Sequence, residues 1–157
     1  MSQWVSDPSH REPARDSRQL MTTSLDGDRN LAYTEYGCSD GVPVVFLHGT
    51  PGSHRLGALF ETVAREQGIR LLAFERPGYG YSTPWPSRSL RDAGTVVSTV
   101  LDDTNVERAG LVAFSGGGPH ALATAVTQPD RVTRVDVVSG AVPPDVSEEQ
   151  PATQRLL

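Results

Sequence analysis

The chain has 157 residues, and its formal net charge of −5 includes 14 basic residues that are all arginine. This length fits one domain with a core of its own, and the acidic balance argues against a nucleic-acid partner. The single cysteine, Cys38, excludes an internal disulfide.

The first 18 residues are polar and contain two prolines but no apolar periodicity, which predicts a flexible N-terminal extension. They lack the apolar core of a signal peptide, and the chain contains no run of about 18 apolar residues. We therefore expect a cytoplasmic protein that has no membrane partner.

Apolar runs after the extension predict the strands of a core at residues 19–142. A turn at Asp26 and Gly27 joins two strand-like stretches, as in an antiparallel hairpin. Val42–Leu47 is a short β-branched run, typical of a strand buried on both faces. Similar runs follow as IRLLAFE, AGLVAF and RVTRVDVVS.

Helical patterns separate these strands. Ser53 is placed to cap a helix that ends at Gly68 and buries one apolar face. That face comprises Leu56, Leu59, Phe60 and Val63. Further helical spacing runs through residues 90–101 and 118–128. The alternation predicts an α/β fold, with a mostly parallel, doubly wound sheet and an antiparallel N-terminal hairpin.

Three glycine-rich loops follow the buried strands, with the sequences HGTPGS, RPGYGYS and SGGGPH. In an open α/β sheet, ligands bind at the carboxyl ends of the strands, so these loops should carry the chemistry. Ser115 in the third loop follows a strand directly and precedes a helix. A serine on such a strained turn needs small neighbours, which Ala113 and Gly117 supply.

Each loop matches a motif of one family. AFSGG resembles the G-x-S-x-G nucleophile elbow, with Ala113 in place of the first glycine. FLHGTPGS resembles the H-G-x-P-G oxyanion loop, and ERPGYGYS is similar to D-R-P-G-x-G-x-S, with Glu75 in place of aspartate. The chain from about Leu20 onwards therefore resembles the serine hydrolase branch of the α/β-hydrolase fold family.

The resemblance implies that Ser115 attacks a carbonyl carbon and that the backbone N–H groups of Thr50 and Gly116 form an oxyanion hole. It implies a small-molecule acyl substrate (an ester, lactone, thioester or peptide) and no cofactor, and no residue cluster has metal-ligand spacing. Dehalogenases and epoxide hydrolases of the family carry aspartate at the nucleophile position, so Ser115 disfavours both.

Other residues of the three loops have smaller expected roles. His54 is a candidate substrate contact. Phe114 is expected in the core, with a substrate contact as the alternative. The remaining motif residues are expected to order the loops: His48, Gly49, Pro51, Gly52, Arg76, Gly78, Gly80 and Gly117.

A serine nucleophile needs a base, which in this family follows the acid on later strands. After Ser115 the only histidine is His120, within the next helix, and Asp130 and Asp136 have the settings of turn and strand residues. We therefore expect the N-terminal part of a hydrolase, truncated after about the sixth strand, with little turnover alone. Residues 143–157 resemble the start of a cap or linker. The last strand would be an unpaired edge, favouring self-association or binding of a missing C-terminal half.

Two other functions stay open. One is a non-catalytic binding protein on the same fold. The other is a dinucleotide-binding oxidoreductase domain, because Gly116, Gly118 and Ala121 fit G-x-G-x-x-A and Asp136 follows about 20 residues later. That motif follows the third buried strand rather than the first, which disfavours the oxidoreductase.

Overall fold

The computed structural model describes residues 19–140, so the predicted extension at 1–18 and the predicted cap or linker at 143–157 lie outside the described residues. The strands are β1 (Met21–Asp26), β2 (Arg29–Gly37), β3 (Val42–Leu47), β4 (Ile69–Phe74), β5 (Ala109–Phe114) and β6 (Val132–Val138). They form one six-stranded sheet in the order β1-β2-β4-β3-β5-β6. β2 pairs antiparallel with β1 and β4, and the other neighbours are parallel. The predicted fold class is confirmed.

Three α-helices connect the strands, and a short 3₁₀ segment precedes each of them. They are α1 (Glu61–Glu66) after the 3₁₀ helix His54–Phe60, α2 (Ala93–Asp103) after Leu90–Asp92, and α3 (Gly118–Thr127) after Ser115–Gly117. A last 3₁₀ turn, Pro129–Arg131, leads into β6.

The sheet has two unequal faces because side chains alternate along each strand. Val45 and Leu47 are fully buried in the large core beneath α2 and α3. Val44 and Phe46 point to the opposite face, where a smaller core lies against the 3₁₀ helix that precedes α1. The larger core therefore supports the carboxyl ends of the strands from the side of the sheet that α2 and α3 cover.

The helix after β3 has the predicted cap and end but only part of the predicted buried face. Ser53 does cap it, accepting a hydrogen bond from the Arg55 N–H, and Gly68 does follow it in the left-handed conformation. Of its predicted buried face, Leu56 packs against the smaller core, but the other three residues are exposed: 77% for Leu59, 41% for Phe60 and 49% for Val63.

The physical reason lies in the 3₁₀ geometry of the first two turns, which has three residues per turn and rotates the apolar stripe away from the sheet. Gly57 packs against the sheet instead, so closely that a Cβ there would lie 2.7 Å from the Tyr36 ring and 2.8 Å from Ala73 Cβ. Phe60 and Val63 are left beside an open apolar groove of about 460 Å³ that also exposes Val44 and Val112.

β6 ends the sheet of the described residues, pairing with β5 on one side only. None of its side chains is fully buried: Val132, Val135 and Asp136 are partly buried, and the other four are exposed. The expected self-association through this edge stays a prediction. Within residues 19–140, no helix is long and apolar enough to cross a membrane.

Candidate active site

Ser115 stands on a sharp turn between β5 and α3. Its φ is +49°, in the left-handed region that costs a non-glycine residue about 1–2 kcal/mol. The turn fits only because its neighbours are small. A Cβ on Gly117 would lie 2.2 Å from the Leu47 carbonyl oxygen, and Ala113 is fully buried. The expected strand, turn and helix order is therefore present, with the serine at the tip.

The loop after β3 packs directly against this turn. A Cβ on Gly49 would lie 3.2 Å from Ser115 Cβ. On the other side, a Cβ on Gly116 would lie 2.7 Å from Thr50 Oγ1 and 3.4 Å from Thr50 N. The structure thus brings together the serine and the two residues whose N–H groups were predicted to bind an oxyanion. The N-terminus of α3, with its partial positive charge, starts at the same place.

His48 orders this loop from inside the core, as expected. Its Nδ1 lies 2.7 Å from the Gly49 carbonyl, and its Nε2 accepts a 3.4 Å hydrogen bond from the Arg76 N–H. A carbonyl can only accept, so the ring proton is on Nδ1. Burial lowers the pKa of His48 to about 4, which keeps the ring neutral.

Arg76 connects all three loops, although the sequence suggested only that it orders its own. It is 3% exposed. One terminal nitrogen, Nη2, donates to the Gly49 carbonyl (3.1 Å) and to Thr50 Oγ1 (2.8 Å). The other, Nη1, donates to the Gly116 carbonyl (3.2 Å). The guanidinium therefore links the loop after β3 to the serine turn.

Glu75 and His54 form a second buried unit beside Arg76. His54 Nδ1 lies 2.7 Å from Glu75 Oε1, and both residues are buried. The other carboxylate oxygen accepts the Tyr81 N–H. Gly80, with φ +49°, makes room for this carboxylate, since a Cβ there would lie 2.1 Å from Glu75 Oε2. A substrate contact of His54 stays a prediction.

Phe114 is not a core residue, contrary to the expectation. It is 45% exposed. Strand alternation explains this: Leu111 and Ala113 point into the large core, so Phe114 points to the opposite side of β5. Its ring also lies beside the loop after β3, 3.2 Å from a Cβ built on Gly49. The alternative of a substrate contact stays a prediction.

His120 points towards the underside of the turn. Its Nδ1 lies 3.2 Å from the Gly116 carbonyl oxygen and 3.3 Å from Arg76 Nη1. Burial, reinforced by the positive charge of Arg76, lowers the pKa of His120 to about 4. Within residues 19–140, the hydroxyl of Ser115 has no hydrogen bond to a histidine: His48, His54 and His120 bind other groups.

A sequence comparison assigns the family. A sequence model described as alpha/beta hydrolase fold matches residues 42–156, which include all three loops. The chain belongs to the α/β-hydrolase family. This confirms the resemblance of the three motifs.

Curated relatives within the family differ in activity. The chain is 30% identical to an uncharacterized hydrolase, YcgS, of Bacillus subtilis over 122 residues, which cover 78% of this chain and 42% of that protein. It is 33% identical to a haloalkane dehalogenase of Mycolicibacterium paratuberculosis, covering 88% of this chain and 44% of the relative. The chain therefore spans less than half the length of these α/β-hydrolases.

Solved structures of the family share the fold. An α/β-hydrolase fold protein from Nakamurella multipartita superposes with a TM-score of 0.67 at 29% identity, covering 79% of this chain and 41% of that one. A CIB-like hydrolase from Thermoplasma acidophilum gives a TM-score of 0.70 at 19% identity, covering 80% of this chain and 64% of that one.

Two histidines of this α/β-hydrolase, His48 and His120, predict a pH dependence of stability. The ordinary histidine pKa of 6.5 falls to about 4 for both His48 and His120 in the folded chain. As pH falls below 6.5, the unfolded state binds protons that the folded state does not, so the free energy of unfolding decreases.

Denaturant titrations between pH 7 and about pH 5.5 should show the free energy of unfolding decrease as the pH falls. At the acid end, its slope against pH should correspond to the uptake of nearly two protons on unfolding. Most carboxylates stay ionised in this window. His120→Gln should reduce the slope by about one proton. A stability that is constant over the window would contradict the burial of neutral imidazoles.

Proposed function

We propose that this chain carries the nucleophile and the oxyanion hole of a serine hydrolase that acts on carboxylic esters or related acyl bonds. The supporting observation is the close contact of Thr50 with Gly116, the residue next to Ser115, whose φ is +49°. In this proposal, the N–H groups of Thr50 and Gly116 donate to the carbonyl oxygen of the substrate.

The proposed reaction proceeds by acyl transfer. Ser115 Oγ bonds to the carbonyl carbon, the carbonyl π electrons move to oxygen, and a base accepts the hydroxyl proton. The oxyanion then collapses, the bond to the leaving group breaks, and the leaving group takes the proton. Water then bonds to the acyl carbon as the base accepts its proton, the bond between that carbon and Ser115 Oγ breaks, Oγ takes the proton, and the carboxylic acid leaves.

The hydroxyl at position 115 supports acyl transfer over other chemistry of the family. One relative is a haloalkane dehalogenase. The family resemblance implies aspartate as the nucleophile of dehalogenases and epoxide hydrolases, whereas this chain has Ser115. An ester, lactone, thioester or peptide bond is therefore the proposed target.

We further propose that the acid and the base of this site come from residues outside 19–140, on this chain or on another. Two observations support this. The three described histidines bind other groups, and the relatives are more than twice as long as the matched region. On this proposal, turnover is low unless that base is supplied, because within residues 19–140 the serine has no histidine partner that accepts its proton.

The dinucleotide-binding alternative has less support. The first glycine of that motif, Gly116, is needed for contact with Thr50, so close packing accounts for it without a phosphate. Asp136 lies inside β6, where Arg134 pairs with its carboxylate. It therefore does not stand at a strand tip, where an acid that binds a ribose would be expected.

Covalent labelling tests the proposed nucleophile. An alkyl fluorophosphonate reacts with an activated serine as the Oγ–P bond forms, the P–F bond breaks and a base takes the proton. We expect one adduct by intact mass, formed slowly in the chain alone and faster when imidazole is added as an external base. Ser115→Ala should abolish the adduct.

Ser139→Ala is the matched control, because Ser139 also has a positive φ, +48°, but follows the edge strand β6. That variant should label like the wild type. Labelling that persists in Ser115→Ala would contradict the proposed function. A chain that stays inert with imidazole would favour a non-catalytic binding role.

A further inference from the structure

Arg76 is a buried cation without a counter-ion in the part of the chain that the structure describes. It is 3% exposed, and no ion pair among residues 19–140 includes it. Its Nε–H has no hydrogen-bond partner there, and the face of the guanidinium lies 4.6 Å from the Tyr79 ring centre. Burying an uncompensated charge is expensive, which calls for a role beyond filling space.

One hydrogen bond of Arg76 goes to the peptide group between Gly49 and Thr50. Its Nη2 donates to the carbonyl of Gly49, which also lies 2.7 Å from the protonated Nδ1 of His48. That carbonyl belongs to the peptide whose N–H is the N–H of Thr50. This peptide is trans, so its N–H points in the direction opposite to its C=O.

A hydrogen bond to a carbonyl also polarises the N–H of the same peptide, and a charged donor does so more strongly than a neutral one. Two donors on the Gly49 carbonyl thus fix the direction of the Thr50 N–H and strengthen it as a donor. A second bond of Arg76, to Thr50 Oγ1, holds the same residue from its side chain. A third, to the Gly116 carbonyl, fixes the other half of the proposed hole.

We infer that Arg76 is a positioning residue of the oxyanion hole: it orients and polarises the Gly49–Thr50 peptide so that the Thr50 N–H meets the developing oxyanion. The inference rests on the proposed function of Ser115. The uncompensated charge of Arg76 also stabilises the developing oxyanion, because an anion that forms beside the hole reduces the cost of burying the guanidinium.

The test compares fluorophosphonate labelling of Ser115 in variants of the full chain, with imidazole present. Arg76→Met keeps the length of the side chain but removes its charge and donors. We expect the second-order rate constant to fall by about 10²-fold, the effect of losing an oxyanion donor. Arg76→Lys keeps the charge and should recover part of that loss.

Arg88→Met is the control, because Arg88 is a neighbouring, partly buried arginine that donates to the Pro77 carbonyl and not to the oxyanion loop. It should label like the wild type. Equal rate constants for wild type, Arg76→Met and Arg76→Lys would overturn the inference.

A second readout separates positioning from folding. The amide resonance of Thr50 reports the strength of the peptide's hydrogen bonds. In folded Arg76→Lys it should shift, whereas amides in β1, at the far edge of the sheet, should not. If Arg76→Met fails to fold, the test rests on Arg76→Lys. A wild-type labelling rate constant together with an unshifted Thr50 amide resonance in that variant overturns the inference. A wild type that gives no Ser115 adduct rejects the proposed function instead.

Discussion

Replacing Gly117 by alanine is expected to destabilise the folded chain by about 3 kcal/mol or more, the upper range for overpacking a core. A Cβ at this position would lie 2.2 Å from the Leu47 carbonyl oxygen and 2.9 Å from that of His48. Both atoms are backbone, so no side chain can rotate away. Relief requires β3 and β5 to move apart, although they pair directly where Leu47 meets Ala113.

The control for this change is Gly110→Ala in β5, the strand that leads into the serine turn. A Cβ there would meet only side-chain atoms, at 3.7 Å from Val44 Cγ2 and 3.9 Å from Thr133 Oγ1, which are ordinary contacts. Urea denaturation of both variants measures the difference. Similar losses in the two variants would show that any added methyl group in this region, and not the close backbone contact at Gly117, explains the effect.

Replacing Glu75 by alanine is the second large expected change, with a loss of about 3 kcal/mol of stability, because two donors lose the buried carboxylate that accepts their hydrogen bonds. Glu75 is 1% exposed, and its carboxylate accepts from His54 and from the Tyr81 N–H. Without it, both donors lose their buried acceptor. Glu75→Gln keeps an acceptor and should lose less.

The comparison for Glu75 is Asp102→Ala. Asp102 also pairs with a basic side chain, that of Arg131, at 2.7 Å, but its own side chain is 67% exposed. Exposed pairs contribute little, so thermal unfolding of this variant should match the wild type closely. A Glu75→Ala variant as stable as Asp102→Ala would mean that the buried pair does not stabilise the loops.

The strands could be predicted from the sequence because their signals are local. Apolar runs between glycines and prolines indicated all six strands, and the small residues around Ser115 indicated its strained turn. Strand alternation, applied from Leu111 and Ala113, could also have placed Phe114 on the exposed side. The exposed face of the helix after β3 was harder to predict, because its 3₁₀ start gives no distinct apolar period.

The contacts of the site could not be predicted because they join distant parts of the chain. Arg76 meets Gly116 across 40 residues, and His54 meets Glu75 across 21. The available signal was topological: the loops after neighbouring parallel strands meet at one edge. That placed the loops together, but it did not show which side chain of the second loop would reach the other two.

The most direct measurement of the central claim, that Ser115 is an acyl-accepting nucleophile, is to map the acyl group after reaction with p-nitrophenyl acetate and imidazole. The tryptic peptide of residues 109–131 contains Ser115 as its only serine, and the chain has no lysine to compete. We expect acetylation of that peptide at Ser115 in the wild type and its loss in Ser115→Ala. Acetyl groups found only on tyrosine or histidine side chains, or unchanged by Ser115→Ala, would contradict it.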